Sequence, residues 1–180
     1  MKTRFSAVVA AALVAGLTLA VPAYSAGGGG SNDTVTKCKK GMIWDKVQKR
    51  CVPPKQGAVD DESIYEAGQA LARAERYDEA IAVLSLAANK SDPRILNFLG
   101  FSHRKQGRLL VGFGYYEEAL RIDPDYTLAR EYLGEAHLQR GDLAAAKEQL
   151  AEIKKRCGTT CEEYVDLSGD IQAFEKQKKG

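Results

Sequence analysis

Apolar and small residues recur along this chain at helical spacing, and the whole pattern then repeats at a longer fixed interval. Leu99, Gly100, His103 and Gly107 reappear as Leu133, Gly134, His137 and Gly141, each displaced by 34 residues. Such a period marks a helix–turn–helix solenoid, in which no pair can bury its apolar face alone and each must stack on a neighbour. The predicted helices cover residues 61–74, 77–90, 93–106, 109–122, 127–140, 143–156 and 161–175. The expected fold is therefore all-α: about three helix pairs and a C-terminal capping helix, whose Tyr164, Leu167, Ser168 and Ile171 share one face.

Small and helix-breaking residues fall where such an array needs them. Gly100 and Gly134 are expected where paired helices approach closely, with Ala80, Gly112 and Ala146 as the small surfaces opposite. Gly107 and Gly141 follow runs of helix formers and suit the left-handed residue after a helix end. Asp92 caps a helix whose first residue is Pro93, whereas Pro124 stops the helix ending near Arg121 or Ile122. Gly112 and Gly114 each weaken their helix by roughly 1 kcal/mol relative to alanine. Close packing accounts for Gly112; nothing in the sequence accounts for Gly114.

The runs LNFLGFSHRKQGRL (Leu96 to Leu109) and REYLGEAHLQRGDL (Arg130 to Leu143), with EEALRIDPDY closing the second repeat, resemble tetratricopeptide repeats. An upstream copy, Tyr65 to Ala88, is shortened: Gly68 precedes Gly100 by 32 residues, and Glu75 stands where glycine usually ends the first helix. The resemblance covers roughly residues 61–175. It implies a concave wall lined by the first helix of each repeat, and hence a protein or peptide ligand. Carried onto this chain, the wall selects Tyr65, Gln69, Ala72 and Arg73, then Asn97, Phe101, Arg104 and Lys105, then Glu131, Glu135 and Leu138. Phe101 is expected as an exposed aromatic anchor flanked by Arg104 and Lys105, a type that interfaces enrich. The lysine–asparagine–lysine–arginine set that some family members use for C-terminal carboxylates is not reproduced, and Glu131 and Glu135 would repel such a ligand. A mixed, extended peptide with acidic and basic ends fits better.

The first 26 residues read differently. Lys2 and Arg4 precede an apolar stretch from Phe5 to Val21 and then VPAYSA, the pattern of a secretory signal peptide with cleavage expected after Ala23, Ser25 or Ala26. An uncleaved membrane anchor is the alternative; after cleavage no stable membrane insertion is expected, and the location is periplasmic or secreted. Removing Lys2 and Arg4 from the 26 basic residues leaves 24 against 24 acidic ones, so the slight basicity of the full chain belongs to the leader. Without a broad basic field, nucleic acid is not an expected partner. The basic tail at 176–180 reads as solvated charge.

Residues 27–60 hold a flexible linker, GGGGSNDTVT, and then CKKGMIWDKVQKRCV. Export places the thiols in an oxidising compartment, which favours a Cys38–Cys51 disulfide closing a loop; the chain-entropy model gives such a loop about 3 kcal/mol. A second pair, Cys157 and Cys161, flanks the turn before the cap helix and would pin it, although four cysteines allow three connectivities. Cys38-Lys-Lys-Gly41, Ile43-Trp44-Asp45 and Cys51 also bear a partial similarity to one end of small chitin-binding modules, which use more disulfides than two cysteine pairs allow. This gives the alternative function: a glycan or surface-polymer module presented by the repeats, with Trp44 as its contact.

No catalytic residue, metal site or cofactor is assigned. His103 and His137 occupy one slot in consecutive repeats and read as packing residues; no nucleophile elbow or phosphate loop is present. The sequence thus points to a non-enzymatic scaffold or adaptor of the cell envelope.

Overall fold

The computed structural model describes residues 38–55 and 57–178. The signal peptide, the glycine-rich linker and the last two residues of the basic tail lie outside the described residues. Among the described residues a two-stranded antiparallel hairpin comes first, β1 (Ile43–Asp45) and β2 (Arg50–Val52), with Trp44 opposite Cys51. Seven helices follow: α1 (Asp61–Arg73), α2 (Tyr77–Leu84), α3 (Pro93–Lys105), α4 (Leu109–Ile122), α5 (Thr127–Gln139), α6 (Leu143–Cys157) and α7 (Glu162–Gln177). They pair as α1–α2, α3–α4 and α5–α6, and α7 packs on both α5 and α6.

Helix starts follow the local chemistry. The Asp60 carboxylate accepts from the Ser63 amide at 2.9 Å, Asp92 from Arg94 at 2.9 Å and Asp142 from Ala145 at 3.1 Å, each satisfying an amide that the helix leaves unpaired. Pro93 begins α3 directly after its cap, and α4 stops before Pro124. At the turns within the second and third repeats, Gly107 and Gly141 take φ of 80° and 84°. Glu75, the equivalent residue of the first repeat, takes φ of 60° without being glycine.

The second helix of the first repeat is shorter than its sequence predicts: α2 ends at Leu84 rather than near residue 90. Tighter turns from Leu86 to Val83 and from Ala87 to Leu84 replace helical bonds, and the Asp61 carboxylate draws off the amides of Ala88 and Asn89 at 2.7 and 2.8 Å. A competing acceptor on α1 thus takes amides that a longer α2 would have bonded within the helix.

Close approach is real in all three repeats, but two of them use a different partner than expected. A Cβ on Gly112 would lie 3.0 Å from the Gly100 carbonyl, so these two glycines face each other as the pattern requires. Gly68 and Gly134 instead admit leucines: a Cβ would fall 2.2 Å from Leu84 and 2.5 Å from Leu167 respectively. Ala80 and Ala146 are fully buried, yet the nearest neighbour of Gly134 is supplied by α7. For Gly114 a Cβ meets nothing within 4 Å, and the structure offers no packing reason for it either.

The core is a run of local clusters, one per junction. Ile43 and Val52 of the hairpin join Ile64, Ala67, Leu71 and Val83, so the hairpin shares the core of the first repeat. Asp45 is buried with them and accepts from the Gln48 amide and side chain, both at 2.7 Å. At the other end Leu167 and Ile171 of α7 seal Leu138, Ala146 and Ile153, with Tyr164 and Phe174 packed alongside. Both expected disulfides are formed, Cys38–Cys51 and Cys157–Cys161. Among the described residues no helix is long and apolar enough to cross a membrane.

Candidate functional site: the inner wall of the first helices

Successive first helices touch along one wall, and their side chains interlock there. Tyr65 of α1 meets Phe98 of α3 with ring centroids 6.0 Å apart, and Phe101 of α3 meets Tyr132 of α5 at 4.9 Å. The Arg94 guanidinium lies 4.5 Å over the Tyr65 ring while pairing with Asp92 and Glu62 at 2.8 and 2.9 Å. Gln69 donates to the Tyr65 hydroxyl at 2.8 Å.

Several residues expected on this wall are less accessible than the sequence suggested. Phe101 is half-buried, not a free anchor, because Tyr77, Phe98 and Tyr132 surround its edge. Asn97 and Ala72 are buried, and Leu138 belongs to the α7 core cluster. Arg104 is only 3% exposed: it donates to the Tyr116 hydroxyl at 3.1 Å and pairs with Glu135, tying α3 to α4 and α5. Burial opposes the Arg104 charge, but Tyr116 and Glu135 outweigh it and hold its pKa above the ordinary arginine value. Glu131 is also buried, at 6% exposure. Arg73 and Lys105 remain exposed, and the Lys105 ammonium sits 5.3 Å from the Phe101 ring.

Four of the predicted residues converge. Arg104, Lys105, Glu135 and Leu138 line an open cleft of about 490 Å³, closed on its far side by Asp170 and Phe174 of α7. The sequence reading missed those two because it treated α7 only as a solvating cap. Its register carried the signal: Ser168, a small residue, stands 34 after Gly134, so α7 occupies the place of a fourth first helix.

The remaining electrostatics are sharply local. Burial, reinforced by Glu135, Asp166, Glu163 and Glu162, pushes the Glu131 carboxyl up to about 8. Both histidines pack as expected, His103 stacked on Tyr115 at 5.4 Å and His137 edge-on to Phe113 at 4.9 Å. Burial lowers the pKa of each, and Arg108 donates to His103 Nδ1 at 2.8 Å, which requires a neutral ring. A smaller apolar cavity of about 170 Å³ lies between parts of the hairpin and the first repeat, lined by Ile43, Pro54, Leu71 and Val83. Of its charged members, Lys39, Lys40, Arg76 and Glu79, the last two pair at 2.6 Å. Trp44, opposite Cys51, lies on the strand face away from the buried Ile43 and Asp45 and is half-buried.

Family models described as tetratricopeptide repeat match residues 65–127 and 103–167. This chain belongs to the tetratricopeptide repeat family. A relative from Arabidopsis thaliana, the chloroplastic tetratricopeptide repeat domain-containing protein PYG7, is 26% identical over 105 residues, which are 55% of this chain and 35% of that protein. The chain thus spans about a third of that relative's length. Among solved structures, the type III secretion translocator chaperone SycD of Yersinia enterocolitica aligns at TM-score 0.56 and 20% identity, covering 66% of this chain and 86% of SycD. The first tetratricopeptide domain of Spaghetti (RPAP3), bound to the HSP90 peptide SRMEEVD, aligns at TM-score 0.57 and 16% identity, covering 67% of this chain and 94% of that domain. At these identities the likeness is one of fold.

Proposed function

We propose that this chain is a non-enzymatic adaptor that holds an extended segment of a partner protein in the cleft along α3, α5 and α7. One observation carries the reading: Lys105 beside the Phe101 ring and Glu135 beside Asp170 and Phe174 gather aromatic, cationic and anionic groups on one open surface. The family's fold supports it, since the similar RPAP3 domain is described with a bound peptide. The adaptor acts outside the cytoplasm, in the periplasm or as a secreted protein. Support for that comes from the leader-like Lys2 to Ala26 and from two disulfides in one short chain. Glycan binding rests on Trp44 alone, and the hairpin that carries it is anchored in the first repeat's core, so Trp44→Ala rather than deletion is its proper test.

A photocrosslinking amino acid placed at Phe101 in the native host, against one at Val111 on the exposed side of α4, tests the surface. Adducts with a partner protein from position 101 and none from 111 are expected. Adducts from 111 alone would place the interface on the other side of the repeats.

A further inference from the structure

Asn97 Oδ1 and Ser102 Oγ of α3 are buried without a partner, and Glu131 of α5 is nearly fully buried. Glu131 on α5 is 6% exposed, and among the described residues its carboxylate has neither a hydrogen bond nor a cation partner. At the equivalent position 34 residues earlier, on α3, Asn97 is fully buried with its Oδ1 unpaired, while its Nδ2 donates to the Tyr126 hydroxyl at 3.5 Å. Native interiors rarely leave such groups unsatisfied, and those that remain call for a missing partner.

The charges decide what that partner is. The groups acting on Glu131 are Glu135 of its own helix and Glu162, Glu163 and Asp166 of α7, all of one sign. Two arginines of the inner wall are committed elsewhere, Arg94 to Asp92 and Glu62 and Arg104 to Glu135 and Tyr116, while Arg73 is exposed on α1. A bare metal ion does not match: among the described residues the only metal-sized convergence of ligand atoms is Cys157, Cys161 and Glu163, whose cysteines are joined as a disulfide. Glu131 instead lies one helical turn from Glu135, which lines the cleft, so a deep acceptor stands beside that opening. A long flexible cation fits this shape, because its head can reach a buried carboxylate while its aliphatic stem spans the opening.

We propose that Glu131 is the seat for a lysine or arginine side chain of a bound basic segment of a partner protein. This rests on the cleft reading above and narrows its ligand: the cationic part of the segment lies across the third repeat and α7.

Two short fluorescein-labelled peptides, one alternating lysine with serine and one alternating glutamate with serine, are titrated into the mature chain by anisotropy. The lysine peptide is expected to bind about tenfold tighter than the glutamate peptide, and Glu131→Gln to weaken it about tenfold. Glu148→Gln removes the same charge from the exposed surface of α6 and should change affinity less than about twofold. Equal losses in the two variants would overturn the seat in favour of a diffuse field. Amide-shift mapping of Gln69, Phe101 and Leu138 separates the two levels. Groove shifts that do not depend on Glu131 overturn the seat and leave the cleft as binding surface. Shifts confined to residues outside the first helices overturn both.

Discussion

In the first two repeats two arginines of the inner wall have their counter-charges within the protein: Arg94 meets Asp92 and Glu62, and Arg104 meets Glu135 and the Tyr116 hydroxyl. On α5 of the third repeat Glu131, in the register of Asn97, is acted on by carboxylates of α5 and α7 and has no cation partner among the described residues. One helical scaffold therefore holds an electrostatically closed half and an open half. The difference teaches that charge on a repeat surface says little about binding until its partners are known. A buried paired cation holds the array together, whereas a buried unpaired carboxyl is available to a ligand.

The largest expected effect breaks the closed half. Arg104→Ala removes a buried cation and strands Glu135 and Tyr116, so it should cost about 3–5 kcal/mol in denaturant unfolding. A loss below about 1 kcal/mol would mean that this half is not closed by the pair. Any loss of partner binding in that variant has to be read beside its stability. Phe101→Ala comes next at about 2 kcal/mol, since the ring is half-buried against Tyr77, Phe98 and Tyr132 rather than free.

The open half should respond in the opposite direction. Glu131 has its folded pKa raised to about 8 from an ordinary carboxyl value, so the folded state binds the extra proton. Its contribution is fully favourable below the unfolded pKa and is lost as pH rises through about 8. Thermal melts of wild type and Glu131→Gln at pH 5.5 and 8.5 should therefore diverge, the variant being more stable at the higher pH by about 1–2 kcal/mol. Glu135, Glu162, Glu163 and Asp166 are shared by both proteins and cancel in the comparison. The smallest effect lies outside the wall: Glu75→Gly should stabilise by about 0.5–1 kcal/mol, because Glu75 holds the left-handed conformation that Gly107 and Gly141 adopt without strain.

Much of the architecture was legible because period, turns and caps agree locally. Gly107, Gly141, Asp92 and Pro124 each end or begin a helix for reasons contained in a few neighbouring residues. The early end of α2 was not legible, since the competing acceptor, Asp61, lies 27 and 28 residues from the amides it captures. For the wall, register selected the right helices but could not give burial. Arg104 is buried because α4 and α5 bring Tyr116 and Glu135 to it, a fact of packing between repeats. Asp170 and Phe174 were overlooked because α7 lacks the family glycine, although Ser168 keeps its register.

A carboxyl carbon titration of Glu131 by NMR, in the protein without ligand and then saturated with the lysine–serine peptide, tests the open half most directly. The free protein should show a midpoint near 8, and the peptide should draw it down toward the ordinary glutamate value of about 4.3. A free-protein midpoint already in the ordinary range, unmoved by the peptide, would contradict the account.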